Sequence, residues 1–173
     1  MSAIHVCALS RIDTTAHAIG ARSMVSLINA QTPVPRPACV PAENHLFIGL
    51  SDITEPRDGH ILPGEDHVRD LLAFARAWDR AAPLLIHCYA GVSRSTAAAY
   101  IAACALRPEL DERALARLLR ERSPTATPNI RLVETADRLL RRGGRMAMAI
   151  AEIGRGADCF EGAPFSLSME GAP

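Results

Sequence analysis

The run Pro83-Leu84-Leu85-Ile86-His87-Cys88-Tyr89-Ala90-Gly91-Val92-Ser93-Arg94-Ser95 decides how the rest of the chain is read. Its first four residues are apolar without interruption, the form of a short strand covered on both faces of a parallel sheet. From Ser95 to Leu106 the sequence is rich in Ala, and Arg107 and Pro108 follow, so a helix is expected there. A loop between a buried strand and a helix N-terminus can gather backbone N–H groups around one point and present them to an anion. Gly91 lets that loop curl tightly. The same field favours a thiolate at Cys88 and makes it a nucleophile near neutral pH. Five residues separate Cys88 from Arg94, a span over which a curled loop can return the guanidinium to the sulfur. There its planar fork matches two nonbridging phosphate oxygens. Ser95 can donate a hydrogen bond to the sulfur, and His87 can orient the loop and help keep the thiol ionised.

Working outward, Ile4 to Leu9 and Met24 to Ile28 suit strands, with a helix expected around Thr14 to Ala21. The Pro-bearing stretch from Thr32 to Pro41 must be a loop, and His45 to Leu50 gives another strand just before Asp52. Val68, Leu71, Leu72, Ala75 and Trp78 recur at helical spacing after Pro63 and Gly64. Asp111 is placed to cap a helix through Glu121, and Asn129 to cap another that Gly143 and Gly144 end. Met146 to Ile153 suits one more helix, and the Gly and Pro residues beyond it suggest an irregular end. Strands alternating with helices, followed by consecutive helices, predict an α/β fold with a central, mainly parallel sheet flanked by helices.

The bulk properties restrict the function class. A chain of 173 residues fits a single domain. Nineteen basic and nineteen acidic residues cancel, so nothing in the overall charge recruits nucleic acid or an anionic membrane surface. Every basic residue counted there is Arg, which with the abundance of Ala suits a GC-rich, bacterial genome. The longest apolar run, Ala97 to Leu106, has ten residues, short of the roughly 18 expected of a membrane span. The stretch from Met1 to Ser10 lacks the pattern of a secretory signal, so a cytoplasmic location is expected. Cysteines 7, 39, 88, 104 and 159 form no paired framework. Cys7 and Cys104 are read as small buried thiols rather than as disulfide partners of Cys88. Histidines 5, 17, 45, 60 and 67 show no metal-ligand spacing and are read as loop or surface residues. Arginines 138, 141, 142 and 145 read as a solvated helix end.

The pattern H-C-x-x-G-x-x-R-S, here His87 to Ser95 with Ala90-Gly91-Val92-Ser93-Arg94-Ser95 at its end, resembles the signature of the protein tyrosine and dual-specificity phosphatases. Met24 to Ala30 is similar to an early strand of that family, and Ser123 to Asn129 to its later portion. The likeness covers about residues 24–140 of one phosphatase domain spanning 1–173, with 145–173 as a C-terminal extension. It implies the cysteine-phosphatase fold, no metal and no cofactor. Residues 89–94 would bind phosphate: Tyr89, Ala90, Gly91, Val92, Ser93 and Arg94. The family also needs a general acid. Asp52, 36 residues before Cys88 in Gly49-Leu50-Ser51-Asp52, resembles the strand-to-acid-loop junction of the compact members, with Asp58 and Asp66 as rivals.

The activity so implied is hydrolysis of phosphotyrosine in proteins through a phosphocysteine, with phosphoserine and phosphothreonine left open. No cation stands among the variable loop residues Tyr89, Ala90, Val92 and Ser93, which disfavours a phosphoinositide or inositol phosphate substrate. A catalytically silent phosphoprotein-binding relative is the other alternative, and retention of Cys88, Arg94 and an acid candidate argues against it.

Overall fold

The computed structural model describes residues 2–169. Five strands form one sheet: β1 (Ala3–Ala8), β2 (Ser23–Ile28), β3 (His45–Gly49), β4 (Leu84–Cys88) and β5 (Phe165–Ser168). Their order is β3-β2-β4-β1-β5, with the first four parallel and β5 antiparallel to β1. β4 lies at the centre and every one of its residues is buried, as its unbroken apolar run requires. The described residues also form six α-helices: α1 (Ile12–Ile19), α2 (Glu65–Ala77), α3 (Arg94–Leu106), α4 (Glu112–Arg122), α5 (Ile130–Leu139) and α6 (Arg145–Ile153). The architecture is the α/β arrangement expected from the alternation of patterns.

Side-chain alternation along the strands divides the core into two layers. Ile4, Val6, Val25, Leu27, Leu84 and Ile86 face the helices from α2 to α6, whereas Cys7, Met24 and Leu85 pack with Ile12 and Ala16 of α1. α3 is buried on all sides from Arg94 to Cys104, which explains its composition: only small side chains let a helix approach a sheet and its neighbouring helices together. Tyr100 and Ile101 are its large apolar exceptions, and the Tyr100 hydroxyl donates to Glu112 O at 3.1 Å. Asp111 and Asn129 cap α4 and α5 through the Ala114 and Leu132 amides, at 3.0 and 3.2 Å.

Four sequence expectations are corrected. The segment after α6 is not wholly irregular, because β5 completes the sheet beside β1 and buries Phe165 and Leu167. α1 starts earlier than expected and stops at Ile19, where the Gly20 N–H bonds back to Ala16 O and His17 O. His5 and His45, read as loop or surface residues, are half-buried within the expected strands β1 and β3. Arg142 is not solvated: it is buried, donating to Glu112 Oε1 at 2.8 Å and to Cys104 O at 2.7 Å.

Candidate active site

The C-terminal ends of the parallel strands meet on one side of the sheet, where ligands of such folds bind. Cys88 ends β4, and the loop from Tyr89 to Ser93 leads into α3 at Arg94. The orientation of this loop can be read from its carbonyls. Leu9 N donates to Tyr89 O at 3.1 Å, Gly162 N to Ala90 O at 2.8 Å, Thr127 N to Val92 O at 2.9 Å and Asn129 N to Ser93 O at 3.2 Å. Thr96 Oγ1 adds donation to Val92 O at 2.6 Å and to Ser93 O at 3.0 Å. His87 Nδ1 is 3.3 Å from Cys88 O. All peptides here are trans, so an N–H stands opposite the carbonyl it shares a plane with. Carbonyls fastened outward therefore turn the amides of Tyr89, Ala90, Gly91, Ser93 and Arg94 towards the inside of a cup.

Gly91 is required at the bend. Its φ is +70°, and a β-carbon there would stand 3.0 Å from both Cys7 C and Ala8 N. A side chain would combine left-handed strain with a clash against β1.

A cavity of about 270 Å³ opens over the cup, lined by Asp52, Cys88, Tyr89, Ala90, Val92, Ser93, Arg94 and Cys159. The structure thus brings together Cys88, Arg94 and Asp52, but Asp58 and Asp66 are exposed residues outside that lining. Arg94 Nη1 donates to Asn29 Oδ1 at 2.8 Å and to Leu50 O at 2.9 Å, which fixes the plane of the guanidinium. Its Nε is buried and has no partner, the one such side-chain nitrogen or oxygen among the described residues. Ser95 Oγ lies 3.1 Å from Cys88 Sγ.

Asp52 is held from two directions. Ser93 Oγ donates to its Oδ1 at 2.7 Å and Asn129 Nδ2 to the same oxygen at 2.9 Å. The loop beyond it is closed off by Ser51 N bonding to Ile61 O at 2.9 Å. The residues between Ser51 and Ile61 therefore form an excursion that returns to its starting point and leaves Asp52 in place.

His87 is fully buried beneath the loop. Burial lowers its pKa to about 4, so the ring is neutral near pH 7. Its effect on Cys88 runs through hydrogen bonding rather than through the positive charge that would hold a thiol ionised. Burial likewise pushes the Cys7 and Cys104 thiols up to about 12, which suits their reading as apolar core residues.

Several residues of the site escaped the sequence. Asn29 and Asn129 anchor Arg94 and Asp52, Ser26 reaches His87, and Gly162 fastens the loop from the far end of the chain. Asn29 had a usable signal, because it directly follows a parallel strand, where this class of fold builds its sites. Asn129 is legible in the sequence as a helix cap and as the end of the Ser123–Asn129 likeness, but not as a partner of Asp52, and Ser26 and Gly162 had no signal short of the tertiary structure.

The fold is that of solved dual-specificity and tyrosine phosphatases of compact size. Human DUSP28 is similar with a TM-score of 0.61 and 17% identity, over 80% of this chain and 94% of its own. DUSP15 gives 0.61 and 15% identity over 87% and 96% of the two chains. The PTP-2 phosphatase of Cydia pomonella gives 0.59 and 21% over 77% and 83%. No family profile and no curated protein matches the sequence.

Proposed function

We propose that this chain is a phosphoric monoester hydrolase acting on phosphotyrosine in proteins, with Cys88 as nucleophile and Arg94 as phosphate clamp. The carrying observation is the Arg94 guanidinium. Two of its bonds go to protein oxygens, yet its Nε is buried without a partner, and Arg94 lines the cavity that holds Cys88. A buried donor without an acceptor is costly, and an oxyanion over the sulfur satisfies it together with the inward-facing loop amides.

In the first step the Cys88 thiolate attacks phosphorus, the bond to the ester oxygen breaks, and the proton on Asp52 passes to that oxygen. In the second, Asp52 takes a proton from water as the water displaces sulfur, and inorganic phosphate leaves. Both bonds from Ser93 and Asn129 fall on Asp52 Oδ1, so Oδ2 is the oxygen that exchanges the proton. Ser95 donates to the departing sulfur. The amides and Arg94 hold the three equatorial oxygens throughout, so rate enhancement comes from positioning and preset dipoles.

Arg94 is the one cationic residue in the cavity lining. That supports a substrate with a single phosphate over an inositol polyphosphate, whose additional charges would meet Asp52 without compensation. The domain reading extends over residues 1–173, and within the expected extension the Gly162 bond to Ala90 O and the place of Cys159 in the cavity lining favour a part in the cup over an appendage.

The protein is expected to hydrolyse p-nitrophenyl phosphate, to be blocked by vanadate, and to prefer a phosphotyrosine peptide to inositol phosphates. Cys88→Ser abolishes turnover and Asp52→Ala lowers kcat far more than it weakens binding. Undiminished turnover by Cys88→Ser would overturn the assignment.

A further inference from the structure

On the α1 side of the sheet, three polar side chains form a line leading to the cup. His87 of β4 is paired in register with Ser26 of β2, and His45 of β3 with Met24, two residues along β2 from Ser26. All three therefore share one face. Ser26 Oγ is 2.6 Å from His87 Nε2 and 2.8 Å from His45 Nε2, and His87 Nδ1 is 3.3 Å from Cys88 O. Ser26 and His87 are both wholly buried, and His45 is the half-exposed end.

The chemistry at the far end sets the direction of every bond. A carbonyl can only accept, so His87 carries its hydrogen on Nδ1. A neutral imidazole has just that one N–H, and burial keeps the ring neutral at pH 7. Its Nε2 is then an acceptor, and the Ser26 hydroxyl must donate to it. Having spent its hydrogen, Ser26 Oγ accepts from His45, whose hydrogen is on Nε2. Every group in the line is satisfied in this arrangement and, with Nδ1 protonated on His87, in no other.

We propose that Ser26 and His45 are positioning residues for the reaction, fixing the tautomer and ring orientation of His87 and through it the 88–89 peptide at the start of the phosphate cup. With Cys88 O held by His87, the Tyr89 N–H faces the cup, where it stabilises negative charge on the Cys88 sulfur and on phosphate. Without the Ser26 hydroxyl, His87 Nε2 is a buried acceptor with nothing to accept from. The ring then gains by shifting its hydrogen to Nε2, which sets a lone pair against Cys88 O, or by turning over, which sets a C–H there; either change removes the N–H donor and releases that peptide. The inference rests on the reading of Cys88 as the reacting thiol, but its consequences can be measured at the sulfur without any phosphoryl transfer.

Two experiments decide it. In the unmodified protein, ¹H–¹⁵N correlation of the histidine rings at pH 7 is expected to show His87 protonated on Nδ1 and His45 on Nε2; the other tautomer at His87 overturns the proposal. Alkylation of Cys88 by iodoacetamide, followed by mass spectrometry of its peptide, is then compared at pH 6 and pH 9. Ser26→Ala is expected to slow the pH 6 rate about 5- to 10-fold relative to pH 9, by loss of one hydrogen-bonded support of the thiolate. His45→Leu gives a smaller effect of the same sign, and Ser26→Thr, which keeps the hydroxyl, restores most of the loss. A folded Ser26→Ala protein whose alkylation ratio stays within twofold of the parent's overturns the proposal, and His45→Leu with the tautomer measurement decides the matter if Ser26→Ala does not fold. Phosphatase activity persisting in Cys88→Ser would remove the functional reading, whereas the alkylation ratios would still report on the hydrogen-bonded line beneath the sulfur.

Discussion

Acid should destabilise this protein through His87, by an amount that can be worked out. The ring is fully buried, and desolvation lowers its pKa from 6.5 to about 4. Between those values the unfolded chain binds a proton that the folded one refuses, so stability falls as pH falls from about 6.5 and stops falling below about 4. The population terms for one site give a loss of about 2 kcal/mol on going from pH 7.5 to pH 5. In a chain of this size that is about 4–8 °C in melting temperature. His5 and His45 are also lowered by burial and act in the same direction, so the measurement is a difference. Calorimetric melts of the parent and of His87→Asn are compared at the two pH values. The parent is expected to lose about 4–8 °C more than the variant. Equal losses would mean that His87 titrates normally in the folded state, and the directional reading of its hydrogen bonds would fall with that result.

Other substitutions examine the cup piece by piece. Arg94→Lys keeps the charge but not the fork held by Asn29 and Leu50; kcat is expected to fall about 10²- to 10³-fold in an aryl phosphate assay. Asn129→Ala removes both the cap of α5 and a donor to Asp52, which lowers stability by about 1 kcal/mol and slows turnover about 10- to 100-fold. Asn129→Asp retains the cap yet sets a like charge beside Asp52, so steady-state kinetics should separate the two roles by showing slow turnover at near-normal stability. Gly162→Ala places a β-carbon 2.9 Å from Gly91 O, which forces the two backbones apart; a loss of about 1–3 kcal/mol in urea unfolding is expected, together with reduced kcat.

The sequence is most legible where the signal is local. Pro83 to Ser95 carries its strand, its bend and its helix start within a dozen or so positions, and Asp111 and Asn129 announce helices by a bond to an amide three residues on. β5 is hidden because Phe165 to Ser168 is four residues long and sits among Gly and Pro; what makes it a strand is the exposed edge of β1, which no local pattern encodes. Arg142 looks like one of a solvated run because Glu112, thirty positions earlier, is its partner only in three dimensions. His45 reads as an ordinary loop or surface histidine for the same reason, since Ser26 lies nineteen residues away. The resemblance of Gly49-Leu50-Ser51-Asp52 to a strand-to-acid-loop junction points to Asp52, but the bonds that hold it come from Ser93 and from Asn129, 77 residues on.

That distribution bears on what the loop motif alone can do. Tyr89, Ala90, Val92 and Ser93 have their carbonyls drawn outward by Leu9, Gly162, Thr127 and Asn129, which come from separate parts of the chain. Nothing in the nine residues from His87 to Ser95 supplies those donors, so a peptide of that sequence would have no reason to aim its amides at one point. The folded chain turns them inward before any anion arrives, and the orienting cost is met by folding rather than at the moment of reaction. The segment after α6 belongs to this scaffold as much as the loop does. Its Gly162 amide is the donor that Ala90 O accepts, and β5, three residues further on, ties that segment to the strand beside β4. Where the motif occurs without such outward donors, the same residues would retain a thiol and an arginine but not a set of amides turned to one point.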